Sequence, residues 1–404
     1  MLSVEEALER ILAEIERLEP ENVALPEAAG RVLAESISAR EAIPPFANSA
    51  MDGYALRSED VQTASATQPS RLRLVGVVQA GRVAERPIGA GEAMRILTGA
   101  PLPPGANAVI QQELTQAGEG WVEVQQIIAP GNNVRYAGED IRSGAEVLAA
   151  GAEIGPSEIG VLASLGVTQV AVYRRPIVAI LATGDELVEL HEALLPGQIR
   201  NSNSYLVAAA VARAGGIPRP LGIARDRVEE LRSKLLAAQE ADLIITSGGV
   251  SVGDYDLVKD ILREQGVIDF WRVNLRPGKP LAFGRLGGTP FLGLPGNPVS
   301  AAVTFELFAR PVLRKMQGFA TILRPVVHAR LLDAINDVSS RRHYVRARVE
   351  IRDGAFAATT TGPQESHILT SMLGANALLV IPENHPPIAA GETVQAMLLA
   401  DGIA

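Results

Sequence analysis

The spacing of apolar positions changes character several times along the chain. Between residues 3 and 18, Leu8, Ile11, Leu12, Ile15 and Leu18 share one helical face, and Ser3 and Glu6 stand at capping-box separation. A packing helix is predicted there, with no functional claim. Residues 23–46 turn extended and end at Ile43-Pro44-Pro45-Phe46, which punctuates the chain. From Leu72 to Val124 short alternating runs are broken by Gly and Pro clusters at 87–91 and 101–107, so a small β-rich module is predicted. Residues 131–151 are loop-rich. A short helix over 156–166, opened by Pro156, leads into a strand at 167–173.

From Pro176 strands and helices alternate. Strands are predicted at Ile177–Leu181, Pro218–Ala224, Leu243–Ile245, Val267–Val273, Leu281–Arg285 and Pro290–Leu294. Helices are predicted at Ser204–Ala214 (cap candidates Asn201–Asn203), Val228–Gln239, Leu257–Arg263 and Val299–Arg314. This βαβ order predicts an α/β multidomain chain around a mainly parallel, doubly wound sheet with right-handed crossovers. Residues 325–404 return to alternating strands, a small C-terminal β domain. The expected organisation is a discontinuous N-terminal mixed α/β domain (1–46 and 138–175), a β-rich inserted module (47–137), an α/β domain (176–322) and a C-terminal β domain (323–404).

Composition narrows the chemistry. With 404 residues, 47% hydrophobic, 4% aromatic and 38 glycines, the chain describes a soluble α/β-rich protein with Val, Ile, Leu and Ala cores. No run reaches the roughly eighteen apolar residues of a membrane span, and residues 1–20 are not a signal peptide, so no membrane association and a cytoplasmic location are expected. The absence of cysteine excludes disulfides, thiolate metal sites and thiol catalysis. The five histidines show no ligand spacing. A net charge of −9 argues against nucleic acid as partner, so a bound anion must be held by local cations and backbone donors. Lysine is confined to Lys234, Lys259, Lys279 and Lys315, which gives weight to the one set in a Gly-Pro loop.

The most informative stretch is Asp242–Asp256, DLIITSGGVSVGDYD: a buried strand, a turn through Thr246-Ser247-Gly248-Gly249, then Asp254 and Asp256. Paired glycines after a strand let backbone N–H groups approach an anion, and two carboxylates suit a hydrated Mg²⁺. A plain β–α turn accounts for the same glycines. Further unusual loops follow strands in this domain: Thr183-Gly184-Asp185-Glu186, Arg225-Asp226, Arg276-Pro277-Gly278-Lys279-Pro280 and Pro295-Gly296-Asn297-Pro298. Loops clustered beyond strand C-termini predict a ligand crevice. Its inventory is Glu186, Asp226, Asp254 and Asp256 on one side, Arg276 and Lys279 on the other, with donors from Gly248-Gly249 and Gly296-Asn297. Each has a plainer reading: Glu186 in an arginine ion pair, Asp226 and Asp254 as helix caps, Arg276 and Lys279 in solvent. Elsewhere, Asp52 in Met51-Asp52-Gly53-Tyr54 reads as a turn aspartate, Thr98 as a turn residue or ligand donor, Glu139-Asp140 as a carboxylate pair, and Arg341, Arg342 and Arg346 as a basic cluster. No Ser-His-Asp arrangement, HExxH, Walker loop or GxGxxG fingerprint is present.

The ordered motifs MDGYA (51–55), TGAPLP (98–103), GEDI (138–141), TGDEL (183–187), SGGVSVGDYD (247–256), RPGKP (276–280) and LPGNPVS (294–300) closely resemble those of the molybdopterin molybdenumtransferases, the bacterial MoeA group that includes the gephyrin E domain. The resemblance spans nearly the whole chain. It implies a molybdopterin-binding type of α/β domain, insertion of molybdate into adenylated molybdopterin with Mg²⁺-dependent release of AMP, and a homodimer with a composite active site. Transient contact with the adenylyltransferase or with acceptor molybdoenzymes is implied too.

Position by position, the resemblance implies crevice roles for Asp52, Thr98, Asp140, Glu186, Asp226 and Asp256, with Glu186, Asp226 and Asp256 toward the metal. It implies ligand-side loops at Thr183, Gly184, Ser247, Gly248, Gly249, Ser251, Pro295, Gly296 and Asn297. Arg276, Lys279, Ser300 and one arginine among Arg342 and Arg346 match positions that hold the molybdate oxyanion. Two departures stand out: the family usually has lysine where Arg276 stands, and a small residue where Glu365 stands. Two other readings compete. A molybdopterin adenylyltransferase needs only the α/β domain, and a non-catalytic scaffold of the gephyrin type need not keep Glu186, Asp226, Asp256 and Lys279 together.

Overall fold

The uncharged run Leu243–Ser247 is fully buried and lies inside a six-stranded sheet. Across that sheet the strands run Ile217–Ala224, Ile177–Thr183, Leu243–Ser247, Thr289–Leu294, Pro280–Leu286 and Gly266–Arg272. The first four pair in parallel, and the last two join by antiparallel pairings, so the sheet is mainly parallel as expected. The computed structural model describes residues 1–225, 227–249 and 266–400; the predicted helix Leu257–Arg263 lies outside them.

Alternation along the strands fixes where the helices lie. Val178, Ile180 and Ile245 share a core with Val207 and Val211 of the helix Ser202–Arg213. Ala179, Leu181 and Ile244 share another with Leu231, Leu235 and Ala238 of the helix Val228–Ala238. Successive strand residues point to opposite faces, so these two helices lie on opposite faces of the sheet. The chain passes from Ile177–Thr183 to Ile217–Ala224 on one side and then crosses to Leu243–Ser247 on the other. That reversal is the switch point where a ligand crevice opens beyond the strand ends.

The first helix, Val4–Ala13, is shorter than its pattern. Ser3 caps it, the Glu6 carboxylate accepts from the Ser3 N–H, and Ala7, Ile11 and Ile15 are buried. The predicted helix Val299–Arg314 is three joined segments: α over Pro298–Thr304, a π turn over Phe305–Ala309, and α over Arg310–Met316. It is apolar on nearly all sides and correspondingly buried. The C-terminal strands close on themselves. Arg342–Arg352 pairs with Ala355–Thr360 and Ala377–Ile381, while Thr393–Leu398 and Val326–Leu331 complete a small barrel around Val345, Ala347, Leu379 and Ala396.

By contacts these elements form one unit (Met1–Asn22, Gly30–Ala34, Ala171–Ala404); Val23–Ala29 and Glu35–Val170 form a second. The second is β-rich, its main sheet ordered Ala108–Gln111, Gly53–Leu56, Glu92–Ile96, Ser70–Val78, Trp121–Val124, Thr115–Gly118. Gly53 is required by strand pairing, because a Cβ there would lie 1.9 Å from the Ile110 carbonyl oxygen. Glu92 is 6% exposed and accepts from the Gly89 N–H, Arg86 and Arg73. The Gly89 N–H first, then the Arg86 and Arg73 guanidiniums, hold its carboxyl down to about 2. Its contribution is complete above the ordinary carboxylate range and is lost as pH falls toward about 2. We expect the melting-temperature gap between wild type and Glu92→Gln to be widest near neutral pH and to close on acidification; a constant gap contradicts this.

Candidate functional site

Strand register brings the ligand loops together. Ala182 pairs with Ser247, Ser247 with Leu294, and Thr183 with Ala224, so Gly184, Gly248 and Pro295 all follow strands that stop at one edge. Gly248 N–H donates to the Leu294 carbonyl at 3.1 Å. Its φ of 91° lies in the left-handed region, and a Cβ there would meet the Thr183 carbonyl oxygen at 2.8 Å. The glycine therefore permits both the turn and the close approach of two loops.

Beyond this edge lie two concavities of about 550 Å³ and about 780 Å³. Glu186, Gly248, Gly249, Gly296, Asn297 and His367 line both, making them one cleft. The first end carries the start of the helix Ser202–Arg213, capped by Asn201, whose side chain accepts from the Ser204 N–H. A helix N-terminus there favours an anion. Asn203 Nδ2 donates to Ser247 Oγ at 2.8 Å and to the Gly296 carbonyl at 2.7 Å, tying three loops together. Thr183 lines the same end, its hydroxyl buried without a partner among the described residues.

The second end is cationic. Arg276, Lys279 and Arg341 line it, as do Ser300 and the segment Gln364–His367. Lys279 has no hydrogen-bond or ion-pair partner among the described residues, whereas its carbonyl accepts from the Val273 N–H. Arg276 is paired with Asp337 through both terminal nitrogens, at 2.7 and 3.0 Å. Arg341 donates to the Leu275 carbonyl at 3.2 Å. Glu186 stands exposed where the two ends meet, with no side-chain partner among the described residues, so the arginine ion pair considered for it does not form there.

The two C-terminal arginines named from sequence take other positions. Arg342 pairs with Glu5 and Glu383 and lines a separate concavity beside the first helix. Arg346 is fully buried: Nε donates to Ser371 Oγ at 3.1 Å, and Nη2 to the Pro363 and Glu365 carbonyls at 3.3 and 3.2 Å. Burial lowers its guanidinium to about 10. It holds the segment that floors the cationic end, and the arginine reaching that end is Arg341. His343, 1% exposed, is lowered to about 4 by burial first and then by Arg276. His367 and Asn203 carry no site signal in the sequence: Asn203 reads as a cap candidate, and His367 has no ligand spacing to mark it.

Asp226, Ser251, Asp254 and Asp256 lie outside the described residues. Among the described residues no cluster of three or more metal-binding side chains occurs. In the second unit, Asp52 Oδ1 accepts from both the Thr98 hydroxyl and the Thr98 N–H, each at 2.7 Å. The Thr98 hydroxyl and then its N–H lower the Asp52 carboxyl below its ordinary value, and Asp52 stays exposed. Asp140 lines a shallow concavity with Gly138, Glu139 and Ile141.

A strand-edge crevice that joins a helix N-terminus to a cationic end in an α/β domain suits an anionic ligand, and comparison with known proteins places the chain. Residues 2–166 match the MoeA N-terminal region (domain I and II), 179–315 a probable molybdopterin binding domain, and 328–399 the MoeA C-terminal region (domain IV). A molybdopterin molybdenumtransferase 2 of Mycobacterium tuberculosis is 40% identical over 98% of this chain and 99% of its own length. A molybdopterin molybdenumtransferase of Haemophilus influenzae is 37% identical over 98% of each. A crystal structure of a molybdopterin biosynthesis MoeA protein from Pyrococcus horikoshii OT3 superposes with a TM-score of 0.84, at 33% identity, over 98% of this chain and 100% of that one. The chain belongs to the molybdopterin molybdenumtransferase family. No helix among the described residues is long and apolar enough to cross a membrane.

Proposed function

We propose that this enzyme inserts molybdate into adenylated molybdopterin and releases AMP. The observation that carries this is the single cleft with two unlike ends: helix and glycine-loop donors at one, and Arg276, Lys279 and Arg341 at the other. The first end suits the phosphates of the adenylated pterin, through Gly248, Gly249 and the helix start capped by Asn201. Thr183, Gly184, Ser247 and Asn297 belong with it, and Ser251 by sequence, while Pro295 lines the second end. The second end suits a tetrahedral dianion: Lys279 is the point charge without a partner among the described residues, with Arg276, Arg341 and the Ser300 region around it.

A hydrated Mg²⁺ needs only one or two protein carboxylates beside the substrate phosphates, and Glu186 at the junction, without a side-chain partner among the described residues, fits that requirement. Asp226 and Asp256 are the further carboxylates named by sequence. The ion's contribution would be to neutralise charge on the phosphates as the P–O–P linkage to AMP breaks. Glu186 and the glycine loops orient that linkage, and Lys279 keeps the oxyanion beside the pterin. Incubation with adenylated molybdopterin, molybdate and Mg²⁺ should release AMP, and chelation of the metal should stop it. AMP release that persists after chelation would remove Mg²⁺ from this account.

We further infer a homodimer, in which Asp52, Thr98 and Asp140 of a second copy complete the cleft. The Asp52–Thr98 pair, exposed and held ionised, supports a role beyond its own turn. Light scattering should report twice the mass of one chain, 42.7 kDa. A monomer at assay concentration would sink this part. Encounters with the adenylyltransferase and with acceptor molybdoenzymes belong to the same proposal.

A further inference from the structure

We propose that Asp337 occupies Arg276 in the resting protein and so competes with the incoming oxyanion. This rests on the reading of the cationic end as the molybdate site. Arg276 lines that end, yet its terminal nitrogens are both spent on one carboxylate, Nη2 on Oδ2 at 2.7 Å and Nη1 on Oδ1 at 3.0 Å. A carboxylate engaged in this way presents the same pair of oxygens to the same planar fork that a tetrahedral oxyanion would present. The other two cations are differently disposed: Lys279 has no partner among the described residues, and Arg341 donates only to a neutral carbonyl there.

Local geometry fixes the competing pair. Leu275–Arg276 forms a two-residue strand beside the start of Arg342–Arg352, with Arg276 opposite His343. The main chain of Arg276 is thereby held against the barrel, while Asp337 sits in the segment that precedes the same barrel strand. Both side chains remain partly exposed, 31% for Arg276 and 48% for Asp337, so the pair is breakable and accessible to an entering anion. His343 lies behind them, with Arg341 and Arg346 as the other charged neighbours. Glu186 and Glu365 also line this end, but Asp337 is the carboxylate that engages Arg276, and it cancels part of the charge that draws in a dianion.

The sign of one substitution separates competition from positioning. If Asp337 competes, Asp337→Asn frees the fork and tightens molybdate binding, by about three- to fivefold on the scale of partly exposed ion pairs. If Asp337 instead aims Arg276 at the oxyanion, the same change weakens binding. Binding of sodium molybdate to the full-length protein by titration calorimetry reads this directly, with Asp337→Ser as a second variant should the first lose its melting transition. Tightening must also disappear in an Arg276→Ala background, because there is then no fork to free. Unchanged or weaker binding in Asp337→Asn, or equal tightening without Arg276, would overturn the proposal. A Lys279→Ala protein that binds molybdate like the wild type would instead overturn the site reading, and this inference with it. Loss of binding in Lys279→Ala with no response to Asp337→Asn would leave the site standing and remove the competitor alone.

Discussion

Replacing Lys279 by alanine should lower kcat/KM for molybdate-dependent AMP release by about 10²-fold, the loss that follows removal of one preorganised charged donor. Arg276 is neutralised by Asp337 and Arg341 is turned to a carbonyl, so Lys279 is the cation of this end with its charge unspent among the described residues. Its structural contribution is made by the main chain, whose carbonyl accepts from Val273 N–H at 2.9 Å. Alanine keeps that bond, so the melting temperature should stay near wild type while activity falls. Raised molybdate should recover part of the loss, because the defect is in holding the anion. Wild-type turnover in Lys279→Ala would refute the assignment.

The second large effect is at Gly248. Its φ of 91° and a Cβ position 2.8 Å from the Thr183 carbonyl oxygen mean that even alanine must push two loops apart. The cost is about 2 kcal/mol of stability, by the scale of strained left-handed residues, and the loop proposed to offer N–H groups to phosphate is displaced. Gly248→Ala should therefore both melt earlier and bind the adenylated pterin poorly. Gly296→Ala is the control: its φ is ordinary, and a Cβ there would meet only Gly248 Cα, at 3.8 Å. Equal melting temperatures for the two variants would show that the Gly248 turn carries no strain.

These two residues also show what could be read from the chain before its fold was known. Gly248 follows an uncharged run of strand length, and Lys279 is one of few lysines and sits between Gly and Pro; both stand out locally. Pattern alone also placed the parallel sheet and its loops on one edge. Other features were not legible, for identifiable reasons. Between Pro298 and Met316 nearly every side is buried, so periodicity could not reveal the π turn over Phe305–Ala309. The barrel closes through pairing of residues 343–347 with 377–381, a long-range choice no local signal encodes. Choosing among Arg341, Arg342 and Arg346 required the partners on each side of the strand: Glu5 and Glu383 for Arg342, and Ser371 with two carbonyls for Arg346. Asn203 looked like one more cap because its work is done across the sheet edge, on Ser247 and Gly296.

The central claim is that one cleft couples loss of AMP to capture of the metal oxyanion. The direct test is to supply the purified protein with adenylated molybdopterin and Mg²⁺, add molybdate in substoichiometric steps, and measure AMP released and molybdenum bound to the pterin. The account predicts that the two rise together in equal amounts. AMP released in full without molybdate, or molybdenum loaded while the adenylate stays intact, would contradict it.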